Sequence, residues 1–120
     1  MDIQYRYTKN HRLKEGGELK QVMNNPSTKL VTESLVVFSC EKSEETPRFG
    51  IIISKRNIKT AVARNRVKRL ARESFRLHQH QLVRKDIVII ARKMAETLSN
   101  AQLAKHLDKQ WERLTNIRKK

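Results

Sequence analysis

Residues 49–90 read FGIIISKRNIKTAVARNRVKRLARESFRLHQHQLVRKDIVII, and this stretch decides the fold. It opens and closes with short apolar runs, 49–53 and 87–90, of the kind found in strands that are buried on both faces. Between them, from residue 61 to about residue 80, apolar side chains recur with the period of a helix. A strand, a helix and a second strand in this order predict parallel neighbouring strands joined by a helical crossover.

The segment before this unit predicts an arm and a short helix. Residues 1–14 are polar and basic without an apolar period, which indicates a loosely held arm, flexible over its first ten residues. Leu19, Val22 and Met23 stand at i, i+3 and i+4, which predicts an amphipathic helix that ends at residues 24–26.

Further strand and helix signals complete the chain. Residues 35–38 favour a strand, and the charged residues 42–47 are interpreted as a hairpin loop between it and the next strand. Ser99 and Gln102 form a capping-box pattern at the start of a last helix, before a basic tail at 116–120. The apolar stripe of that helix consists of Leu103, Leu107, Trp111 and Leu114.

The chain is strongly basic, with 27 Lys and Arg against 12 Asp and Glu in 120 residues and a formal net charge of +15. A compact body with that charge is stabilised by a polyanion, of which nucleic acid is the commonest and an anionic membrane surface the alternative. Cys40 is the only cysteine, and no apolar run reaches the length of a membrane span. These features predict a cytoplasmic protein that binds nucleic acid and not a membrane.

Within the predicted helix of residues 61–80, cations and apolar side chains fall on opposite faces. The basic face holds Arg64, Lys68, Arg69, Arg72 and Arg76, and the apolar face holds Val67, Leu70, Ala71, Ser74 and Leu77. Phe75 lies at a boundary, and Arg66 fits neither face. Like charges at i, i+4 destabilise an isolated helix by about 0.2–0.5 kcal/mol per pair, so this basic face indicates a phosphate-binding surface.

Asn65 lies near the centre of the basic face, and two interpretations of it remain open. Its side chain can hydrogen-bond a base edge or a ribose 2′-hydroxyl. Alternatively, it can cap the start of the helix. The preference for Arg over Lys around it favours bidentate contacts with phosphate.

The same helix carries Arg64-Asn65-Arg66-x-Lys68-Arg69-x-x-Arg72, which resembles the RNR motif of the bacterial ribonuclease P protein component. Three other segments resemble that family: Arg12-Leu13-Lys14, Phe49-Gly50-x-x-x-Ser54-Lys55 and Asp86-Ile87-Val88-Ile89-Ile90-Ala91-Arg92. The resemblance covers roughly residues 11–115. It implies a single α+β domain over residues 1–120, ordered α-β-β-β-α-β-α, with a small mixed sheet. It also implies a left-handed βαβ crossover of the ribosomal S5 domain 2-like kind, where the general rule would predict a right-handed one.

The resemblance further implies a protein subunit that binds the catalytic RNA subunit and the 5′ leader of precursor tRNA. It would assist endonucleolytic removal of that leader. By this resemblance, the residues that contact the RNA subunit are Arg64, Asn65, Arg66, Lys68, Arg69 and Arg72. Those of the leader-binding cleft, between the first helix and the sheet, are Phe38, Ser54, Lys55, Arg56, Leu19 and Met23. Cleft and core remain alternative interpretations of Phe38, Leu19 and Met23. For Leu19 and Met23 the reason is that the family often has aromatic residues at these positions.

No catalytic constellation is visible in the sequence. The four histidines and the single cysteine lack zinc-site spacing, the glutamates at 41, 44 and 45 read as solubilising, and Asp86 reads as a turn residue. The resemblance implies that the RNA subunit carries catalysis with Mg²⁺ ions that it holds itself. We therefore expect no cofactor in the protein, no activity from it alone and no obligate protein partner.

Two other classes remain as alternatives. A ribosomal or other structural RNA-binding protein would share the charge but would not affect tRNA processing. A basic-helix protein for DNA or a membrane surface would need a large exposed apolar helix face. The combination of four matching segments favours the ribonuclease P protein family.

Overall fold

Helices and strands follow one another in the order that the family resemblance implies, with one additional α-helix. The computed structural model describes residues 11–13 and 17–117, with side chains as far as Thr115. Its α-helices and strands are α1 (Gly17–Asn24), β1 (Thr28–Val31), β2 (Leu35–Glu41), β3 (Arg48–Ile52), α2 (Ala61–His78), β4 (Lys85–Ala91), α3 (Met94–Thr97) and α4 (Asn100–Ile117), and a 3-10 turn, Gln79–Gln81, follows α2. The single turn α3 is the addition. The predicted arm of residues 1–10 lies outside the described residues, and α4 extends into the predicted tail.

The strands form one mixed sheet in the order β1-β2-β4-β3. β4 pairs in parallel with β3 and antiparallel with β2, so the predicted parallel neighbours joined by a helix are confirmed. The predicted hairpin between β2 and β3 is wrong, because β4 lies between them. β4 is central since nearly all its side chains are buried, and a buried strand needs a hydrogen-bonding neighbour at each edge. The loop of residues 42–47 instead passes the start of β4, where the amide of Lys42 donates to the carbonyl of Arg84 at 2.9 Å.

α2 and α4 cover one face of the sheet and enclose the main core. Phe49 stacks on Phe75 with ring centroids 5.1 Å apart, and both rings meet Trp111 edge-on. Phe75 is fully buried whereas Leu77 is 46 % exposed. The predicted positions of Phe75 at a boundary and of Leu77 on the apolar face are therefore wrong. The face of α2 that meets the sheet is centred near Ala71. Phe75 shares that face at i+4, and Leu77, at i+6, does not.

α1 covers part of the other face, over a smaller cluster that includes Leu13, Leu19, Val22 and Val88. The approach is closest at Gly50, where an added Cβ would overlap Leu19 Cδ2 and lie 3.3 Å from Leu13 Cβ. The amide of Leu13 donates to the carbonyl of Phe49 at 3.0 Å, and its side chain is buried. The prediction of a loosely held arm is therefore wrong for residues 11–13, because burial and a backbone hydrogen bond hold them on β3.

The last helix is positioned by its cap and by polar contacts with α2. The Ser99 amide donates to Gln102 Oε1 at 2.9 Å and the Gln102 amide donates to Ser99 Oγ at 3.1 Å, which confirms the capping box. Trp111 Nε1 donates to Ser74 Oγ at 2.7 Å, and that hydroxyl donates to Asp108 Oδ1 at 2.8 Å. The predicted stripe on α4 is buried throughout. Within the described residues, no helix combines the length and apolar character needed to cross a membrane.

Candidate nucleic-acid interface

The basic connector of residues 54–60 is fixed to the first turns of α2. Thr60 is the helix N-cap, and its Oγ1 accepts from the amide of Ala63 at 3.1 Å. Arg64 Nη1 donates to the carbonyls of Ile58 and Lys59 at 2.9 and 2.8 Å. The capping interpretation of Asn65 is therefore wrong, because Thr60 already caps the helix and Asn65 lies exposed beyond its first turn.

The exposed side of α2 carries a shallow groove of about 340 Å³, which we call the α2 groove. Its walls are Asn65, Lys68, Arg69, Arg72, Glu73 and Arg76. Arg76 Nε donates to Glu73 Oε1 at 3.0 Å, and this hydrogen bond lowers the pKa of Glu73. Within the described part of the chain, no acidic side chain pairs with the other three cations of the groove. Its positive charge is thus left for an external anion.

Arg66 points away from the α2 groove, toward α4. Its Nε donates to Asn100 Oδ1 at 2.7 Å, and its Nη2 donates to the carbonyl of Leu98. These bonds join α2 to the start of α4 and explain why Arg66 fits neither face of the helix. Both arginines that flank Asn65 therefore make internal contacts, while Asn65 itself faces solvent.

The other face of the sheet has an apolar strip that α1 leaves partly uncovered. Phe38 is half-buried there, and Lys29 Nζ lies 5.4 Å from the centre of its ring. The strand registers place Ile52, Ile90 and Val36 side by side next to it, and all three are half-buried. Of the two cleft residues predicted on α1, Leu19 belongs to the core, whereas Met23 is half-buried at its margin.

The predicted rim of this cleft, Ser54, Lys55 and Arg56, is exposed. Ser54 Oγ accepts from the amide of Asn57 at 3.1 Å, which closes a turn. Asn57 Nδ2 donates to the carbonyl of Ala91 at 3.5 Å and so ties the turn to the end of β4. The rim therefore stands at the carboxyl ends of both parallel strands.

Comparisons with known proteins agree on one family. The family model described as Ribonuclease P matches residues 7–115. This chain belongs to the ribonuclease P protein family. It is 39% identical over 112 residues to the ribonuclease P protein component of Pseudomonas entomophila, covering 93% of this chain and 84% of that protein. With the component of Vibrio campbellii it shares 61% identity over 69 residues, 58% of each chain.

The fold of this chain also agrees with solved structures of ribonuclease P proteins. The Staphylococcus aureus RNase P protein superposes with a TM-score of 0.76 and 29% identity, over 82% of this chain and 89% of that one. The Thermotoga maritima RNase P protein superposes with a TM-score of 0.75 over 85% of this chain and 96% of that one. At 24% identity, the second likeness concerns the fold alone.

In this ribonuclease P protein, the structure places two cations beside the rim that the sequence analysis did not assign to the site. Arg92 and Lys93 are exposed directly after β4, beside the rim at 54–56, and Arg92 Nη1 donates to the carbonyl of Thr32 at 2.9 Å. The rule that parallel strands end at the same sheet edge could have located them. Likewise, alternation along the predicted strands could have grouped Val36 and Ile90 with the apolar strip.

A four-residue ion-pair network lies at the opposite end of the strands. Arg48 bonds both Asp86 and Glu18, and Lys42 Nζ lies 2.8 Å from Asp86 Oδ1. The interpretation of Asp86 as a turn residue is wrong, because it lies within β4 and is 8% exposed. Among the described residues, no three His, Cys, Asp or Glu side chains gather as a metal site would require.

Proposed function

We propose that this ribonuclease P protein binds the RNA subunit through the α2 groove and the 5′ leader of precursor tRNA along the apolar strip. It thereby assists endonucleolytic removal of the leader, which gives the mature 5′ end of the tRNA. One observation carries the proposal: three cations of the α2 groove lack an acidic partner within the described residues and line the same groove as an exposed Asn.

The α2 groove suits the backbone of a folded RNA. Lys68, Arg69 and Arg72 can each neutralise phosphate and release counterions, which makes binding depend strongly on salt. Asn65 offers both a donor and an acceptor to a base edge or a 2′-hydroxyl. Arg64 and Arg66 serve this surface indirectly, because their internal hydrogen bonds hold the connector and α4 in place around it.

The apolar strip suits a single strand. Phe38 offers a half-exposed ring on which a base can stack, and Lys29 beside it can hold a neighbouring phosphate. The strip leads to the rim of Ser54, Lys55 and Arg56, whose cations can follow the leader backbone. Met23 borders the strip and can pack on a base without stacking as an aromatic ring does.

We assign the phosphodiester hydrolysis to Mg²⁺ ions held by the RNA subunit, with no cofactor in the protein. In this division of labour, the protein contributes binding and positioning. The ribonucleoprotein would act in the cytoplasm, and no further protein partner is needed for the scheme.

Cleavage of precursor tRNA by a bacterial ribonuclease P RNA at low magnesium, with and without this protein, tests the proposal. We expect faster cleavage with the protein and none when the RNA subunit is omitted. Stimulation by the Arg69→Ala variant should require more protein, whereas Lys105→Gln, on the exposed side of α4, should behave as the unaltered chain. Tight RNA binding without any stimulation would favour a structural RNA-binding protein instead.

A further inference from the structure

Arg12 belongs to a segment that the proposed function does not use. It forms a parallel bridge with Phe49 on β3, which is an edge strand of the sheet. The next residue, Leu13, is 2% exposed and donates its amide to the carbonyl of Phe49 at 3.0 Å. The backbone at Arg12 is thus fixed to the sheet, although its side chain is exposed.

A small cavity of about 70 Å³ separates this segment from α2. Arg12 lines it from one side, and Lys68 and Arg72, one helical turn apart, line it from α2. Leu19, Gly50 and Ile51 form apolar parts of its wall. The volume is about half of the ~150 Å³ that holds a benzene ring in another protein, so a nucleobase does not fit. A single phosphate group does.

Within the part of the chain that the structure describes, no acidic side chain compensates the charge around this cavity. Within the described residues, neither Arg12 nor Lys68 nor Arg72 forms an ion pair with an acidic side chain. The acidic residues of the neighbouring helical turns, Glu18 and Glu73, bind Arg48 and Arg76. Three like charges around an apolar wall repel one another, and an anion between them removes that repulsion.

We propose that Arg12, Lys68 and Arg72 form a pocket for one phosphate group of an RNA backbone. The identity of the RNA rests on the proposed function, since Lys68 and Arg72 also line the α2 groove. Arg12 therefore joins the N-terminal segment to α2 through a shared phosphate, and two separate parts of the chain hold the same RNA strand. Gly50 keeps the cavity in shape, because a larger residue would displace Leu19 from its wall.

A double-mutant cycle on the full chain tests this pocket against the ribonuclease P RNA subunit. Arg12→Gln should weaken binding about tenfold, as expected for loss of a charged hydrogen bond to phosphate. It should also reduce the slope of log affinity against log salt by about one. Because one phosphate is shared, the double variant with Lys68→Gln should lose less than the product of the two single losses.

Lys105→Gln is the matched control, since Lys105 is exposed on α4 and lies outside the pocket. It should bind the RNA as the unaltered chain does, and it should add nothing to the loss caused by Lys68→Gln. Thermal melting of each variant excludes a folding defect. The pocket is wrong if Arg12→Gln binds the RNA as tightly as Lys105→Gln does. It is also wrong if the double variant of Arg12→Gln and Lys68→Gln loses the full product of the two single losses in affinity.

Inorganic phosphate separates this outcome from failure of the proposed function. If the unaltered chain does not bind the RNA subunit, the shift in melting temperature with phosphate, against chloride at equal ionic strength, decides. A rise that Arg12→Gln abolishes and Lys105→Gln keeps would retain the pocket while the proposed function fails. A rise that both variants keep, or no rise at all, would reject both.

Discussion

Arg48 and Asp86 form a two-bond ion pair across the parallel strands β3 and β4, with Nε 3.0 Å from Oδ1 and Nη2 2.7 Å from Oδ2. The third guanidinium nitrogen, Nη1, donates to Glu18 Oε2 on α1 at 2.8 Å. One side chain therefore joins both parallel strands to the helix that borders the apolar strip. Arg48 thus adds a polar contact to the apolar cluster that packs α1 on the sheet.

Removing this guanidinium should destabilise the fold. We expect Arg48→Met to lower the free energy of unfolding by about 2 kcal/mol, because Asp86 stays buried without its bidentate partner. Urea denaturation measures the loss. Glu73→Gln breaks an exposed pair on α2 and should cost far less, so equal losses in the two variants would contradict this role.

The same pair makes stability depend on pH. Burial alone would raise the pKa of the Asp86 carboxyl, but hydrogen bonds from Arg48 and Lys42 outweigh it and hold that pKa below its ordinary value. A lowered pKa stabilises the fold fully above the unfolded value of about 3.9, and this contribution is lost as pH falls through the folded pKa. Unfolding free energies measured from about pH 6 down to about pH 2 should therefore fall less steeply for Asp86→Asn than for the unaltered chain. Parallel curves would assign the acid sensitivity to other groups.

Substitutions of Arg66 and Arg69 should affect different properties, the first stability and the second RNA binding. Arg66→Ala removes the bonds to the start of α4 and should cost about 1–2 kcal/mol of stability. Arg69→Ala should change stability by less than about 0.5 kcal/mol. Its affinity for the RNA subunit should fall, and its salt slope should decrease by about one. Melting curves and RNA titrations of both variants measure the difference, and an Arg66→Ala protein with normal stability and weak RNA binding would reverse the assignment.

Phe38 should affect leader recognition more than assembly. Phe38→Leu keeps an apolar side chain but removes the ring, so precursors with a leader should bind about 1–3 kcal/mol more weakly, while leaderless tRNA is unaffected. Phe38→Tyr retains the ring and serves as the control. The measurement is the ratio of dissociation constants for the two substrates with the reconstituted enzyme. An equal loss for both, or a loss of folding, would place Phe38 in the core alone.

Much of the fold could be predicted from local pattern. The helix of α2, the strand of β4, the capping box at Ser99 and the buried stripe of α4 depend on neighbouring residues only, and all are confirmed. Which strands pair is a global property. The apolar runs of β2 and β3 identify two strands, but they do not show that β4 enters between them. The hand of the crossover came from the family resemblance and stays a prediction.

The candidate site was predictable to the same extent. A helical projection grouped Asn65, Lys68, Arg69 and Arg72, which line one groove. A projection of one helix contains no other element, so it could not show that Arg66 bonds the start of α4. For the same reason it could not show that Arg12 reaches the cavity beside Lys68. Both relationships arise only when distant segments pack.

Trp111 gives the molecule a built-in optical reporter. It is the chain's one tryptophan, its indole is fully buried, and it bonds Ser74 where α2 and α4 meet. The α2 groove lies on the side of α2 that faces away from this contact. Fluorescence from this single indole therefore records the integrity of the core, while a ligand that docks on the outer surface leaves its surroundings dry. A shift of the emission maximum to longer wavelength indicates unfolding. An emission maximum that stays constant while RNA is added and bound indicates docking onto an intact fold.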